Sequence, residues 1–431
     1  SAADLVLFDP KSIKDMATYE QPKLPSQGIR FVLVNGQVAV DEGKMTGMRA
    51  GRVLRRRKDG RVTGELEDIV VTTEGTRLQL EASDGVRALI CSTMVEVWQI
   101  IENGLVDEDL VDDILYSMPL SEDRVEDLND AWDRMRDSAV LRLMVDHPEQ
   151  IKALERIDDR LDEEDRLNTH RQNGRKWSIF IKVDGGGRRA GVPPSSKQMK
   201  DIITAALASH VVEIYGFYSH FGQSYASKSL DNAAEYYDGE IDCVNAAAKV
   251  ARELGAKGPL VLSVGATPTA HAALQITTTE GKGPELEGEL ELHAGCYCML
   301  DLQQLATSLI SLSDIAISVL TRVVSTYPDR KEAMCDAGAL AVSKDTGPWA
   351  GFGHVISPLH ASKWDLGRVS QEHGTLIHRS GEKNVEELKI GDLVRIVPQH
   401  ACLACAGFPW LYVVEQGGDK VVDIWSPWKG W

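Results

Sequence analysis

The chain has 431 residues, with Lys+Arg 47 against Asp+Glu 65, a formal charge of −18 and a pI near 5.1. Its 43% hydrophobic and 26% charged residues provide a sizeable core and exclude the low-apolar, high-charge class of disordered chains. The acidic balance speaks against a nucleic-acid partner, because phosphate binding needs clustered Lys and Arg, and the one basic cluster, Arg52 to Lys58, is short.

Residues 1–58 read as a β-rich segment. Asp4 to Phe8 and Phe31 to Val40 are β-like, the second pivoting on Asn35-Gly36, a hairpin-turn dipeptide. Ser1 to Pro10 carries Asp4 and Asp9 where a signal peptide needs a basic start and a long apolar core, and the first residue is not Met, as in a processed chain or a fragment. Residues 59–72 form a junction. From about Leu66 to Thr269, short apolar β-branched runs alternate with helical patterns: 68–71, 87–91, 141–145, 178–183, 213–218 and 259–264. Such alternation predicts βα units on a parallel sheet and suits a (β/α) barrel over 73–275. The dense charges between Asp123 and Arg175 read as a solvated helix face or a surface insertion. Over 276–431 the texture changes to β-like segments at 287–292, 317–328, 337–343, 393–398 and 410–414, which predicts a mainly β C-terminal domain.

No apolar run reaches the ~18 residues that a membrane span needs, so no membrane partner is expected. Seven cysteines, an odd number at low density, fit a reduced compartment, and the cytoplasm is the expected location.

Four stretches could carry chemistry. Ser263-Val-Gly-Ala-Thr-Pro-Thr269 follows a buried-strand pattern, where glycine lets backbone approach an anion and amides and hydroxyls cradle a phosphate; otherwise it is only a turn. His400-Ala-Cys402 alternates side chains on one face if extended, so imidazole and thiolate can meet one metal ion. The plainer reading is a buried Cys and a satisfied His, with Cys405 either a third ligand or a packed thiol. Asp184 to Gly191 ends a strand in a turn bearing Arg189, a guanidinium that is functional or merely solvated. Tyr218-Ser-His-Phe-Gly-Gln-Ser-Tyr225 places Tyr218 and His220 past another strand end, where they could line a pocket.

From about Thr73 to Trp431 these pieces, in this order, resemble the eukaryotic D-serine dehydratase and D-threonine aldolase group, alanine-racemase-like enzymes that use pyridoxal phosphate. The carrying residues are Thr73 to Leu80, Cys91 to Met94, Lys182-Val-Asp184 with Arg189 to Val192, Gly216 to His220, Ser263 to Thr269, Glu291 to Gly295 with Tyr297 and Asp301 to Gln304, Asp336 to Gly338, Gln371 to Gly374 and Pro398 to Cys402. The resemblance implies that Gly265, Ala266 and Thr267 hold the phosphate of pyridoxal 5'-phosphate, that His400 and Cys402 bind zinc, and that Arg189, Tyr218 and His220 lie around the ring or substrate. It also implies a small D-amino-acid substrate, conversion of D-serine to pyruvate and ammonia (the aldolases cleave Cα–Cβ instead), and a homodimer.

The sequence departs from that group at one end. The group's imine-forming lysine lies in a His-x-Lys-Thr-x-Lys-Thr stretch immediately before the Glu-Gly-x-Arg-Leu-Gln motif, whereas here Leu66 to Thr73 contains no lysine and Asp68 falls near the expected position. Lys182 sits on another strand and Lys58 lies upstream, so chain spacing makes neither a replacement. A barrel shortened at its N-terminal end is therefore expected. Ala3 to Pro10, Gly28 to Gly36 and Thr46 to Arg55 instead resemble the C-terminal tail of N-acyl-D-amino-acid deacylases of the amidohydrolase superfamily, whose metal ligands lie in a part that this chain lacks. Three readings follow: a lyase dependent on pyridoxal phosphate and zinc, a catalytically impaired relative acting as a ligand-binding or assembly module, or a piece completed by another polypeptide.

Overall fold

The computed structural model describes residues 5–8, 29–34, 37–41, 44–45, 62–67, 72–83, 85–163, 176–276, 285–415 and 417–428. The chain divides into two compact units, Ser1–Arg55 and Arg56–Trp431. In the first, β1 (Leu5–Phe8), β2 (Ile29–Val34), β3 (Gln37–Asp41) and β4 (Lys44–Met45) form an antiparallel sheet in chain order. Val34 pairs with Gln37, so β2 and β3 make the hairpin that the sequence predicts; Asn35 and Gly36 lie outside the described residues.

The second unit begins with a closed barrel of eight parallel strands: β5 (Val62–Glu67), β6 (Ala88–Cys91), β7 (Asp113–Pro119), β8 (Val140–Val145), β9 (Trp177–Lys182), β10 (Val212–Ser219), β11 (Val261–Val264) and β12 (Glu289–Ala294). Helices α1 (Thr73–Ala82), α2 (Met94–Glu102), α3 (Val125–Arg134), α4 (Pro148–Glu163), α5 (Lys197–Ala208), α6 (Leu230–Glu253) and α7 (Thr267–Ile276) follow the first seven strands. Side-chain caps start several of them. Thr72 accepts from the Gly75 amide at 3.0 Å, and Thr93 and Glu96 form a reciprocal capping box. Along the strands, Leu89, Ile114, Leu143, Ile179 and Phe217 belong to the cluster shared with the helices, while Ile90, Leu115, Met144, Phe180 and Tyr218 cluster separately within the ring. Burial on both faces is why these strands read as continuous apolar runs.

The alternation of strands and helices thus gives the expected barrel, and its strand count is whole. β5 pairs with β12 on one side and β6 on the other, so the shortened N-terminal end that the sequence suggests leaves no gap in the ring. β5 and β12 come from outside the 73–275 stretch. The polar residues of Val62-Thr-Gly-Glu-Leu-Glu67 hide a strand in what the sequence presents as a junction, and the expected run at 68–71, including Asp68, lies outside the described residues. The charged region beginning at Asp123 resolves into the amphipathic helices α3 and α4 flanking the buried strand β8, with 164–175 outside the described residues.

A second closed barrel follows, antiparallel and six-stranded: β13 (Val319–Tyr327), β14 (Glu332–Cys335), β15 (Gly353–Ser357), β16 (Trp364–Val369), β17 (Gly374–His378) and β18 (Leu393–Pro398). Its core gathers around Trp364, Leu366, Leu376 and Ile396. The hairpin β19 (Leu411–Val414) and β20 (Val421–Trp425) ends the fold, and beyond it the Trp428 indole donates to Thr73 Oγ1 on α1 at 3.3 Å. Two expected β segments differ. The 287–292 run supplies β12 of the first barrel, and within 337–343 the chain forms a helical turn, Ala339–Val342, because the amides of Ala339 and Leu340 are taken by the carbonyls of Ser370 and Gln371 at 2.7 and 3.1 Å. Among the described residues, no helix is long and apolar enough to cross a membrane.

Candidate active site at the barrel mouth

Parallel strands place their C-terminal ends on one rim. Lys182, Tyr218 and Ser263 form one row across β9, β10 and β11, paired in register, and Ser263 pairs with Glu291 of β12. β11 then enters the turn Gly265-Ala266 and helix α7. Gly265 has φ +150° and its position is closed to any side chain, because a Cβ would meet the His293 carbonyl oxygen at 1.8 Å. The turn is tied internally, the Ala266 amide donating to Thr269 Oγ1 at 2.8 Å. The Thr267 hydroxyl is different: it is buried at 1% exposure and has no hydrogen-bond partner among the described residues. A buried hydroxyl at a helix N-terminus, beside a backbone that only glycine permits, has the chemistry to receive an anionic oxygen.

Two histidines flank this turn. His220, past the end of β10, meets the Gly265 carbonyl through Nδ1 at 2.8 Å, and since a carbonyl only accepts, Nδ1 carries the proton. His293 on β12 is fully buried, with Nδ1 2.9 Å from Ser263 Oγ. Its ring lies flat on that of Tyr218, centroids 4.1 Å apart at 9°. Burial above all, then the charges of His220 and Lys182, hold His293 well below the ordinary imidazole range despite an opposing contact with the Gly265 backbone, so it is neutral at physiological pH. Lys182 reaches the same place with Nζ 3.9 Å from the Tyr218 ring centroid.

A second group sits where the chain leaves β12. Asp301 is fully buried and caps the helical turn Leu302–Leu305; its Oδ2 accepts from the Ala401 amide at 2.9 Å and the Cys296 thiol at 3.3 Å. His400 caps the turn Ala401–Cys405, and its Nδ1 lies 2.8 Å from Asp345 Oδ2, leaving Nε2 to meet Cys402. Hydrogen bonding from Cys296 and then from His400 outweighs burial and lowers the Cys402 thiol to about 6. Burial opposes charge on His400, but the Cys402 and Asp345 hydrogen bonds prevail and raise it to about 9. The pair is therefore a thiolate beside an imidazolium. Cys405 is a packed thiol, pushed up to about 12 by burial and by the neighbouring Cys402 charge. Among the described residues, no three His, Cys, Asp or Glu side chains form a group able to hold a metal ion.

The two groups share β12. The Gly265 turn packs against His293, and Cys296, hydrogen-bonded to Cys402, is three residues further along, a span of roughly 10 Å at most. Of the residues that the sequence predicts, the fold thus brings together Gly265, Ala266, Thr267, Tyr218 and His220, and it joins His400 to Cys402. Arg189 is exposed on the loop after β9, which Asp184 Oδ1 closes by accepting from the amides of Gly186 and Arg188 at 2.9 and 3.0 Å. Sequence reasoning assigned no role to Ser263, His293, Cys296, Asp301 or Asp345. Four of them stand within the motifs at 263–269, 291–295 and 301–304 or directly after one; Asp345 carries no signal along the chain.

A barrel of this kind followed by a β barrel defines the alanine-racemase-like fold, and residues 76–280 match the family described as "Alanine racemase, N-terminal domain", while 316–414 match the serine dehydratase domain. The chain is 39% identical over 366 residues to D-serine dehydratase of Schizosaccharomyces pombe, covering 84% of this chain and 83% of that protein. The chain belongs to the D-serine dehydratase family. The solved D-threo-3-hydroxyaspartate dehydratase of Delftia sp. HT23 superposes with a TM-score of 0.70 at 26% identity, covering 86% of this chain and 91% of that one. Separately, 54 residues, 12% of this chain and 11% of the relative, are 50% identical to a D-aminoacylase of Alcaligenes xylosoxydans xylosoxydans, in keeping with the short N-terminal resemblance.

Proposed function

We propose that the chain is a D-amino-acid dehydratase that binds pyridoxal 5'-phosphate at Gly265, Ala266 and Thr267 and zinc at His400 and Cys402, and that it acts on D-serine or a related D-β-hydroxy amino acid, giving pyruvate and ammonia from D-serine. One observation carries this reading: an anion cradle and a thiolate–imidazole pair both lie at the end of β12. The residues fit both groups. The Thr267 hydroxyl lacks a partner, the space at Gly265 is one that a Cβ would fill, and the α7 N-terminus favours negative charge. Once Nε2 gives up its proton, the thiolate and the imidazole are a zinc donor set, with Asp345 fixing the ring from behind as an orienting carboxylate does. With two donors among the described residues, coordination positions remain for a substrate oxygen. A metal-free form of a cysteine-to-alanine mutant is described for the related D-threo-3-hydroxyaspartate dehydratase.

When bound, pyridoxal phosphate supplies an electron sink that acidifies the substrate Cα, and zinc polarises the β-hydroxyl that leaves. The chain's own work is positional. Thr267 and the α7 N-terminus bind phosphate, His220 braces the Gly265 carbonyl through its Nδ1 proton, and Tyr218 with neutral His293 makes a flat buried wall. The homodimer and the cytoplasmic setting are part of the same proposal, the latter supported by seven cysteines that form no disulfide.

The test loads the purified chain with pyridoxal phosphate and zinc and measures pyruvate from D-serine and zinc retention. Asp345→Asn is expected to weaken zinc about 10–100-fold. A second reading, a ligand-binding or assembly module without turnover, is favoured by the absence of lysine in 59–87. A folded chain that retains both groups yet releases no pyruvate supports that module reading, and one that retains neither overturns both.

A further inference from the structure

Bonding to an aldehyde needs an amine, and the segment after β5 offers none, since Leu66 to Thr73 contains no lysine. The fold brings one from another strand. Lys182 ends β9 in register with Tyr218, which is in register with Ser263, the residue two positions before Gly265. Adjacent strands lie ~4.8 Å apart, so Lys182 starts roughly 10 Å across the mouth from the strand that leads into the cradle. Its side chain turns inward, Nζ lying 3.9 Å from the ring centroid of the buried Tyr218. The charge on Lys182 is felt at His293, whose ring stacks on Tyr218 and packs beside the Gly265 turn. Its stem is also confined, because Gly191, at φ +93°, leaves the space that the stem fills; a Cβ there would meet Lys182 Cγ at 2.8 Å. An amine confined by packing and turned over Tyr218 is within side-chain reach of a ring seated beside that tyrosine, as covalent chemistry requires.

We propose that Lys182 is the amine that bonds the aldehyde of pyridoxal phosphate in this chain, in place of the lysine that related proteins carry after the first barrel strand. The proposal rests on reading 265–267 as the phosphate cradle. In the step, Lys182 gives its proton to solvent and Nζ adds to the aldehyde carbon. A carbon–nitrogen double bond then replaces carbon–oxygen, and the oxygen leaves as water; nothing is oxidised or reduced. Chain spacing sets Lys182 aside because it counts residues, whereas the barrel puts the ends of all its strands on one rim.

The experiment incubates the full chain with equimolar pyridoxal phosphate, measures how much stays bound after gel filtration and how much inorganic phosphate displaces, then reduces with borohydride and maps the modified lysine by peptide mass spectrometry. Lys182 is expected to carry the reduced adduct at about tenfold or more above any other lysine, and Lys182→Met to lose it while retaining phosphate-displaceable binding. Bound, displaceable ligand with no adduct, or with the adduct on Lys58 or another lysine, overturns the role of Lys182 and leaves the cradle standing. Ligand that does not stay bound overturns the cradle and the proposal together. Lys182→Arg keeps the cation over Tyr218, so if Lys182→Met fails to fold, loss of trapping in the folded arginine variant gives the same answer.

Discussion

The two halves of the first barrel are filled differently. Strands β6 to β9 turn Ile90, Leu115, Met144 and Phe180 into the ring and carry the paired Arg142, Asp113 and Ser178 and, at the β9 end, Lys182, while β10 to β12 contribute Tyr218, Ser263 and His293, all buried. A polar group out of water costs stability unless it is paired. On the β10 to β12 side Ser263 pairs with His293 and His220 with Gly265, while among the described residues the Thr267 hydroxyl and His293 Nε2 have no partner. The proposed phosphate cradle at Gly265 and Thr267 belongs to this second side.

The contrast is open to attack by mutation. Gly265→Ala should have the largest effect, about 4 kcal/mol or more in denaturant unfolding, because φ +150° and the overlap with the His293 carbonyl leave no room to relax; a loss under 1 kcal/mol would mean that the turn is not built as described. Leu115→Ala, on the β6 to β9 side, should cost about 2–5 kcal/mol yet leave pyridoxal phosphate binding per folded molecule unchanged, and a selective loss of binding would blur the division.

His293 sharpens the comparison through pH. Its folded pKa is depressed, so below about 6.5 the unfolded chain takes up a proton that the native site refuses. Its contribution is present in full above that pH and declines as the solution is acidified, by up to about 1.4 kcal/mol per pH unit. Chemical unfolding from pH 7 to pH 5 should thus be less steep in His293→Gln than in the parent chain, and equal slopes would show that the imidazole does not sit neutral in the native state. The smallest effect is expected from Arg189→Ala: under about 0.5 kcal/mol on stability, with the change in phosphate-displaceable binding deciding whether this exposed guanidinium takes part at all.

Much of this was legible along the chain, for stated reasons. Buried parallel strands announce themselves as β-branched runs such as Ser178-Ile-Phe-Ile181, and the Gly265 turn follows one of them. β5 was hidden by its polar residues, and β12 by a glycine-rich setting that resembles the domain after it. The His400–Cys402 spacing suggested a pair on one extended face, whereas the two meet by another geometry. Only His400 is extended, with φ −139° and ψ 113°, and Cys402 lies in the helical turn that His400 caps, so it is the bend into the turn that joins them. Lys182 and His293 owe their positions to neighbouring strands, and no reading of residue intervals reveals which side chains face each other across a ring.

The bond from Trp428 to Thr73 joins residues 355 positions apart, the far end of the described chain to the first helix of the barrel. During synthesis, α1 therefore leaves the ribosome long before the indole that bonds to it, and Thr73 stays wet until that segment has followed. Such late closure lengthens the time for which an unfinished ring is exposed to other nascent chains.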